Sequence, residues 1–107
     1  MLYNYIGGNM QIKRITEMEE NLNISIKQIK KFEDSLKEYK KVQKHIKKLS
    51  EYYGSKEWYK DFDDYNEKKL KLNAGVLSED GIYNLLLENK EIAQELNKLS
   101  KRILKEK

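Results

Sequence analysis

The chain has 107 residues, of which 38% are hydrophobic and 37% charged, with a formal net charge of +4 and neither cysteine nor proline. That length fits one domain, and the thin apolar share limits its core to helix–helix seams rather than a broad interior. Without cysteine there is no disulfide, thiolate metal site or cysteine nucleophile, and no apolar run approaches the ~20 residues that cross a bilayer, so no membrane partner and a cytoplasmic protein are expected.

Gly7 and Gly8 set off a leader, residues 1–9, from a single helical domain, residues 10–107, and the leader reads as frayed. From Met10 to Tyr53 there is no glycine, and apolar residues recur at Ile15, Met18, Leu22, Ile29, Phe32, Leu36, Tyr39, Ile46 and Tyr53. Gaps of three, four and seven predict one long helix with a near-heptad stripe, as in coiled coils. Ile12, Ile26, Val42 and Leu49 widen that stripe. Asn21, Asn23 and Ser25 are weak helix formers, so a bend or fold-back near Asn23 is the alternative to a continuous helix.

Gly54 follows the last apolar turn, where a left-handed residue ends helices, and Ser55 is placed to cap the next one. The first helix is therefore expected to stop at Tyr53. A short helix from Lys56 to Lys68 places Trp58, Phe62 and Tyr65 on one face. Residues 69–77 read as a loop in which Gly75 takes an unusual backbone angle while Val76 and Leu77 tuck into the core. Ser78, followed by Glu79 and Asp80, then caps a last helix reaching Leu104, with Ile82, Leu85, Leu86, Ile92, Leu96, Leu99 and Ile103 as its stripe.

These elements make an all-α fold in which a long helix, a short aromatic cross-helix and a C-terminal helix pack as an antiparallel hairpin. At ~1.5 Å per residue the first helix reaches roughly 65 Å and the last roughly 40 Å, so the last covers about Ile26 to Tyr53. Ile12, Ile15, Met18 and Leu22 are left without a partner in the chain, which makes them the candidate self-association residues of a homodimer.

A family resemblance is carried by Glu51-Tyr-Tyr-Gly-Ser55, then Trp58, Asp61, Phe62 and Asp64, then Gly75-Val-Leu-Ser-Glu-Asp80 with Tyr83, Leu85 and Leu86, and upstream by Arg14-Ile-x-Glu-Met-Glu-Glu20. Over about residues 12–96 the chain resembles domain of unknown function 4298, a family of small bacterial helical proteins. The resemblance implies a small helical protein and brings no established activity. The chain departs from the family pattern in lacking a proline between the tryptophan segment and Gly75, and in having Ala74 where a basic residue is common.

The densest feature is aromatic. Tyr52, Tyr53, Trp58, Tyr59, Phe62 and Tyr65 lie within fourteen positions, interleaved with carboxylates that include Asp61 and Asp64. Read structurally, these rings pin the short helix across the ends of the long ones. Read functionally, the same eight residues form an acidic aromatic end that suits a basic protein partner. Neither a catalytic pair nor a metal site follows from the carboxylates, because Asp61, Asp63, Asp64 and Glu67 lack calcium-loop spacing and Asp61, Asp64 and Glu67 fall on the solvent side of a short helix. His45 stands alone among lysines and reads as exposed.

From Lys27 to Lys48 there are nine lysines against three acids, a local balance of +6. Lys30, Lys37, Lys41, Lys44 and Lys48 fall opposite the apolar stripe and form the alternative, nucleic-acid-binding face. No arginine or aromatic side chain interleaves that face, so a solvated surface is the simpler account. The reading is a non-enzymatic interaction or regulatory module with a protein partner and a second copy of itself, no cofactor, and weak nucleic-acid binding as its rival.

Overall fold

The structure, a computed structural model, describes residues 2–106, and side chains from residue 8 to 106. The described residues form three α-helices: α1 (Leu2–Tyr52), α2 (Lys56–Asn66) and α3 (Gly81–Lys105). A single 3-10 turn at Gly75–Leu77 precedes α3, and no strand occurs among the described residues. The chain divides into two compact units, Met1–Val42 and Gln43–Lys107. No helix among the described residues is long and apolar enough to cross a membrane.

In the first unit α1 begins at Leu2, ahead of the expected start at Met10, and runs through Gly7 and Gly8. Met1 and the side chains of residues 2–7 lie outside the described residues, and with them most of the leader. A glycine costs a helix about 1 kcal/mol relative to alanine, too little to end one that is well supported on its C-terminal side. The helix also continues without interruption through Asn21, Asn23 and Ser25, which rules out a fold-back there. The Thr16 and Ser25 hydroxyls donate to the carbonyls of Ile12 and Asn21, at 2.8 and 2.7 Å, and so find partners inside the helix instead of breaking it. Ile26, Ile29 and Phe32, expected to be covered, are exposed, whereas Leu36 and Tyr39 are half-buried.

The second unit holds the core. α1 ends at Tyr52, one residue earlier than expected, and Gly54 adopts φ +80° just beyond it. The Ser55 N–H donates to the Tyr52 carbonyl at 3.0 Å, and the Ser55 hydroxyl accepts from the Trp58 N–H at 3.1 Å, so the chain stops one helix and caps the next within three residues. α2 then presents Trp58, Phe62 and Tyr65 inward, as their spacing requires. It closes at Asn66 rather than Lys68, because Lys68 enters the left-handed region at φ 60° while its N–H donates to the Tyr65 carbonyl.

Among the described residues three side chains are buried: Trp58 at 6%, Leu77 at 5% and Ile82 at 3% exposure. Leu49, Tyr52, Tyr53, Phe62, Tyr65, Ala74 and Leu86 pack around them, so α1, α2, the 3-10 turn and α3 all contribute. Farther along, the amides of Gln43 on α1 and Asn89 on α3 exchange two hydrogen bonds of 3.3 and 3.0 Å. Both interrupt apolar stripes, and each satisfies the other where a lone amide would be costly.

The loop before α3 departs from expectation in three respects. Gly75 has no positive φ and instead belongs to the 3-10 turn; Leu77 enters the core while the Val76 side chain stays outside; and α3 starts at Gly81, not directly after Ser78. The cause is a second use of the Ser78 hydroxyl. It accepts from the Gly81 N–H at 3.1 Å, as a cap does, and donates to the Gly75 carbonyl at 2.7 Å, tying turn to helix. A Cβ on Gly81 would stand 2.5 Å from that hydroxyl and 2.7 Å from the Gly75 carbonyl, so the close approach requires glycine.

Candidate functional site

The aromatic end of the second unit is organised around Trp58. Its indole N–H donates to the Val76 carbonyl at 2.9 Å, joining α2 to the 3-10 turn. Tyr53 and Tyr59 meet its ring edge-on, with centroids 5.1 and 5.2 Å away, and Phe62 stacks on it at 5.0 Å with planes inclined by 22°. Offset stacks and edge contacts of this kind each add ~0.5–1.5 kcal/mol beyond area burial. Trp58 is thus core, not surface. Tyr52, Tyr53, Phe62 and Tyr65 are half-buried around it, and Tyr59, at 57% exposure, is the ring of the six that solvent reaches most.

The carboxylates divide the same way. Asp61 and Asp64, expected on the solvent side, are half-buried and engaged. Asp61 accepts a 2.5 Å hydrogen bond from the Tyr52 hydroxyl, which links α2 back to the end of α1. Asp64 lies 3.3 Å from Lys60 and 3.9 Å from Lys69, and Glu67 lies 2.8 Å from Lys69. Glu51, Glu57 and Asp63 are exposed instead. Among the described residues no three His, Cys, Asp or Glu side chains are grouped to hold a metal ion.

Burial first, and then the hydrogen bond and negative charge of Asp61, push the Tyr52 phenol up from 10.0 to about 12. The neutral phenol is thus favoured in the folded protein. Its contribution to stability is complete below pH 10 and is lost as pH rises through the folded value of about 12. Urea unfolding of the wild type is expected to show a declining midpoint across that window, and Tyr52→Phe a shallower decline. Equal slopes would mean that the Tyr52–Asp61 pair does not couple to folding.

Lysines of the alternative face are exposed throughout: Lys30, Lys37 and Lys41 in the first unit, Lys44 and Lys48 in the second. Lys30 pairs with Asp34 at 3.3 Å and Lys41 with Glu38 at 3.4 Å, contacts one helical turn long and open to water. Such pairs contribute little and are easily exchanged. His45 is exposed as expected. The four residues assigned to self-association, Ile12, Ile15, Met18 and Leu22, are all exposed.

Two features escaped the sequence reading. The Gln43–Asn89 amide pair was signalled by polar residues standing where two apolar stripes called for hydrophobes, but pairing them needs knowledge of which turns face each other. Val76 contributes its carbonyl rather than its side chain, and no side-chain pattern announces a backbone role.

Neither curated proteins nor solved structures give a match to the chain. The family described as Domain of unknown function (DUF4298) matches residues 15–99, from near the start of the first unit's apolar stripe, through the aromatic end, into the last turns of α3. With most of its length matched, the chain belongs to that family.

Proposed function

We propose that this protein is a non-enzymatic interaction module, in which α1 and α3 form an antiparallel hairpin, two copies associate through the first part of α1, and the acidic aromatic end receives a protein partner. The observation that carries this reading is the apolar stripe of the first unit. Ile12, Ile15, Met18 and Leu22 are 52–62% exposed, and Ile26, Ile29 and Phe32 continue the stripe at 50–59%. Large side chains gain ~1.5–3 kcal/mol on full burial, so covering each half-exposed one is worth roughly 1 kcal/mol. A run of seven is a strong reason for a helical partner, and contiguous exposed apolar surface of this kind marks interaction sites. At the other end, Tyr59 and the exposed Glu51, Glu57 and Asp63 supply an aromatic and acidic surface suited to a basic protein.

Sedimentation of the full chain tests the self-association. The wild type is expected to sediment as a dimer at micromolar concentration, and Ile15→Asp/Leu22→Asp as a monomer. A wild type that stays monomeric over that range overturns the reading. DNA or RNA binding at low salt that disappears in Lys37→Glu/Lys41→Glu would point to the lysine face in its place.

A further inference from the structure

Within the second unit, the seam between α1 and α3 is apolar beside the Trp58 core and turns polar farther along. Leu49 and Leu86 pack against the buried cluster, and Ile46 is half-buried one turn beyond Leu49. The next turn of α1 presents Gln43, and the next turn of α3 presents Asn89, both of them half-buried. Their bonds are reciprocal: Gln43 Nε2 donates to Asn89 Oδ1 at 3.3 Å, and Asn89 Nδ2 donates to Gln43 Oε1 at 3.0 Å. Each amide thereby satisfies a donor and an acceptor of the other, a match that no aliphatic side chain supplies.

The chain also carries a helix face that competes for the same seam. Ile12, Ile15, Met18, Leu22 and Ile29 form an exposed stripe on the first part of α1. Brought by a second copy, that stripe could lie on the face of α1 that α3 takes in the second unit. Hydrophobic burial is non-directional, so apolar area does not tell the two helices apart. The amide layer does. Opposite Gln43 the stripe sets large aliphatic side chains, and Ser25, between Leu22 and Ile29, already donates its hydroxyl to the Asn21 carbonyl at 2.7 Å. Exchanging α3 for that stripe therefore forfeits both amide bonds. Each such bond is worth about two- to tenfold in an equilibrium, so the pair favours α3 by about tenfold or more.

We infer that Gln43 and Asn89 are the specificity-determining pair of this seam: they reserve the second-unit face of α1 for α3 and confine self-association to the stripe of the first unit. A polar layer set into an apolar helix seam selects the partner at a cost in stability, because the wrong partner leaves it unsatisfied. The inference rests on the proposed self-association through the α1 stripe, and adds the residues that keep the two apolar faces from being exchanged.

Replacing the layer in the full-length chain provides the test, read by sedimentation at micromolar concentration, with circular dichroism to verify that each variant is helical. Gln43→Leu/Asn89→Leu is expected to form species larger than the wild-type dimer, and adding Ile15→Asp/Leu22→Asp to it is expected to remove them. The exchanged pair Gln43→Asn/Asn89→Gln keeps an amide on each helix and is expected to sediment as the wild type does. In urea unfolding, the two leucine substitutions are expected to be non-additive by at least about fivefold in the folding equilibrium. Additive substitutions, a double leucine variant that sediments as the wild type, larger species that survive Ile15→Asp/Leu22→Asp, or an exchanged pair that itself forms larger species would each overturn the inference. A monomeric wild type sinks the proposed self-association, and the amide pair is then judged by the double leucine variant: association gained sustains it, and a variant that stays monomeric overturns it.

Discussion

Trp58→Ala is expected to lower the stability of the second unit by about 3–5 kcal/mol, the usual cost of removing a large buried ring. Two losses combine. The cavity falls at the centre of a core with three buried side chains, and the Val76 carbonyl loses the indole N–H that it receives at 2.9 Å. A unit of this size has about 3–10 kcal/mol in total at ~0.05–0.15 kcal/mol per residue, so the variant gives up most of it. Urea unfolding followed by helical circular dichroism measures the loss. Trp58→Phe separates the two contributions: it keeps a ring against Phe62 but leaves the carbonyl without its donor, at a cost of about 1–3 kcal/mol. A Trp58→Ala protein as stable as the wild type would show that the ring does not act as core.

Ile82→Ala should cost about 2–5 kcal/mol, and Ile82→Val about 0.5–1.5 kcal/mol. Ile82 is the most buried residue described, in the first turn of α3, and it packs in one cluster with Trp58 and Leu77. The effect is therefore expected where α3 meets the 3-10 turn, and hydrogen exchange at the first amides of α3 should accelerate along with the drop in the unfolding midpoint. Because Ile82 and Trp58 share a cluster, the double alanine variant should depart from the sum of the singles by ~0.5–3 kcal/mol. Strict additivity would mean that the two side chains stabilise separate regions.

Local signals were read well because they need only neighbouring residues. Gly54 ends a helix and Ser55 starts another through contacts within three positions, and the face shared by Trp58, Phe62 and Tyr65 follows from helical spacing. A residue with two uses is not legible from its neighbours alone. Ser78 has the chemistry of a cap, and its hydroxyl does bond the Gly81 N–H, but its bond to the Gly75 carbonyl also holds a 3-10 turn and moves the start of α3 to Gly81. The carboxylates of α2 show the same limit: helical spacing puts Asp61 and Asp64 toward solvent, yet the Tyr52 hydroxyl and Lys69 arrive from outside the helix and occupy them.

By itself, the sequence determined an all-helical protein, the break at Gly54, the cap at Ser55, the inward face of α2 and its family, because periodicity, turn chemistry and motif are properties of residues close together in the chain. Only the tertiary structure decided that Trp58 is the core while Tyr59 faces water, that Asp61 serves Tyr52, and that Gln43 and Asn89 satisfy each other. Burial and hydrogen-bond satisfaction depend on what lies opposite a side chain. Here the groups that lie opposite are far along the chain: Val76 is 18 positions from Trp58, and Asn89 is 46 from Gln43.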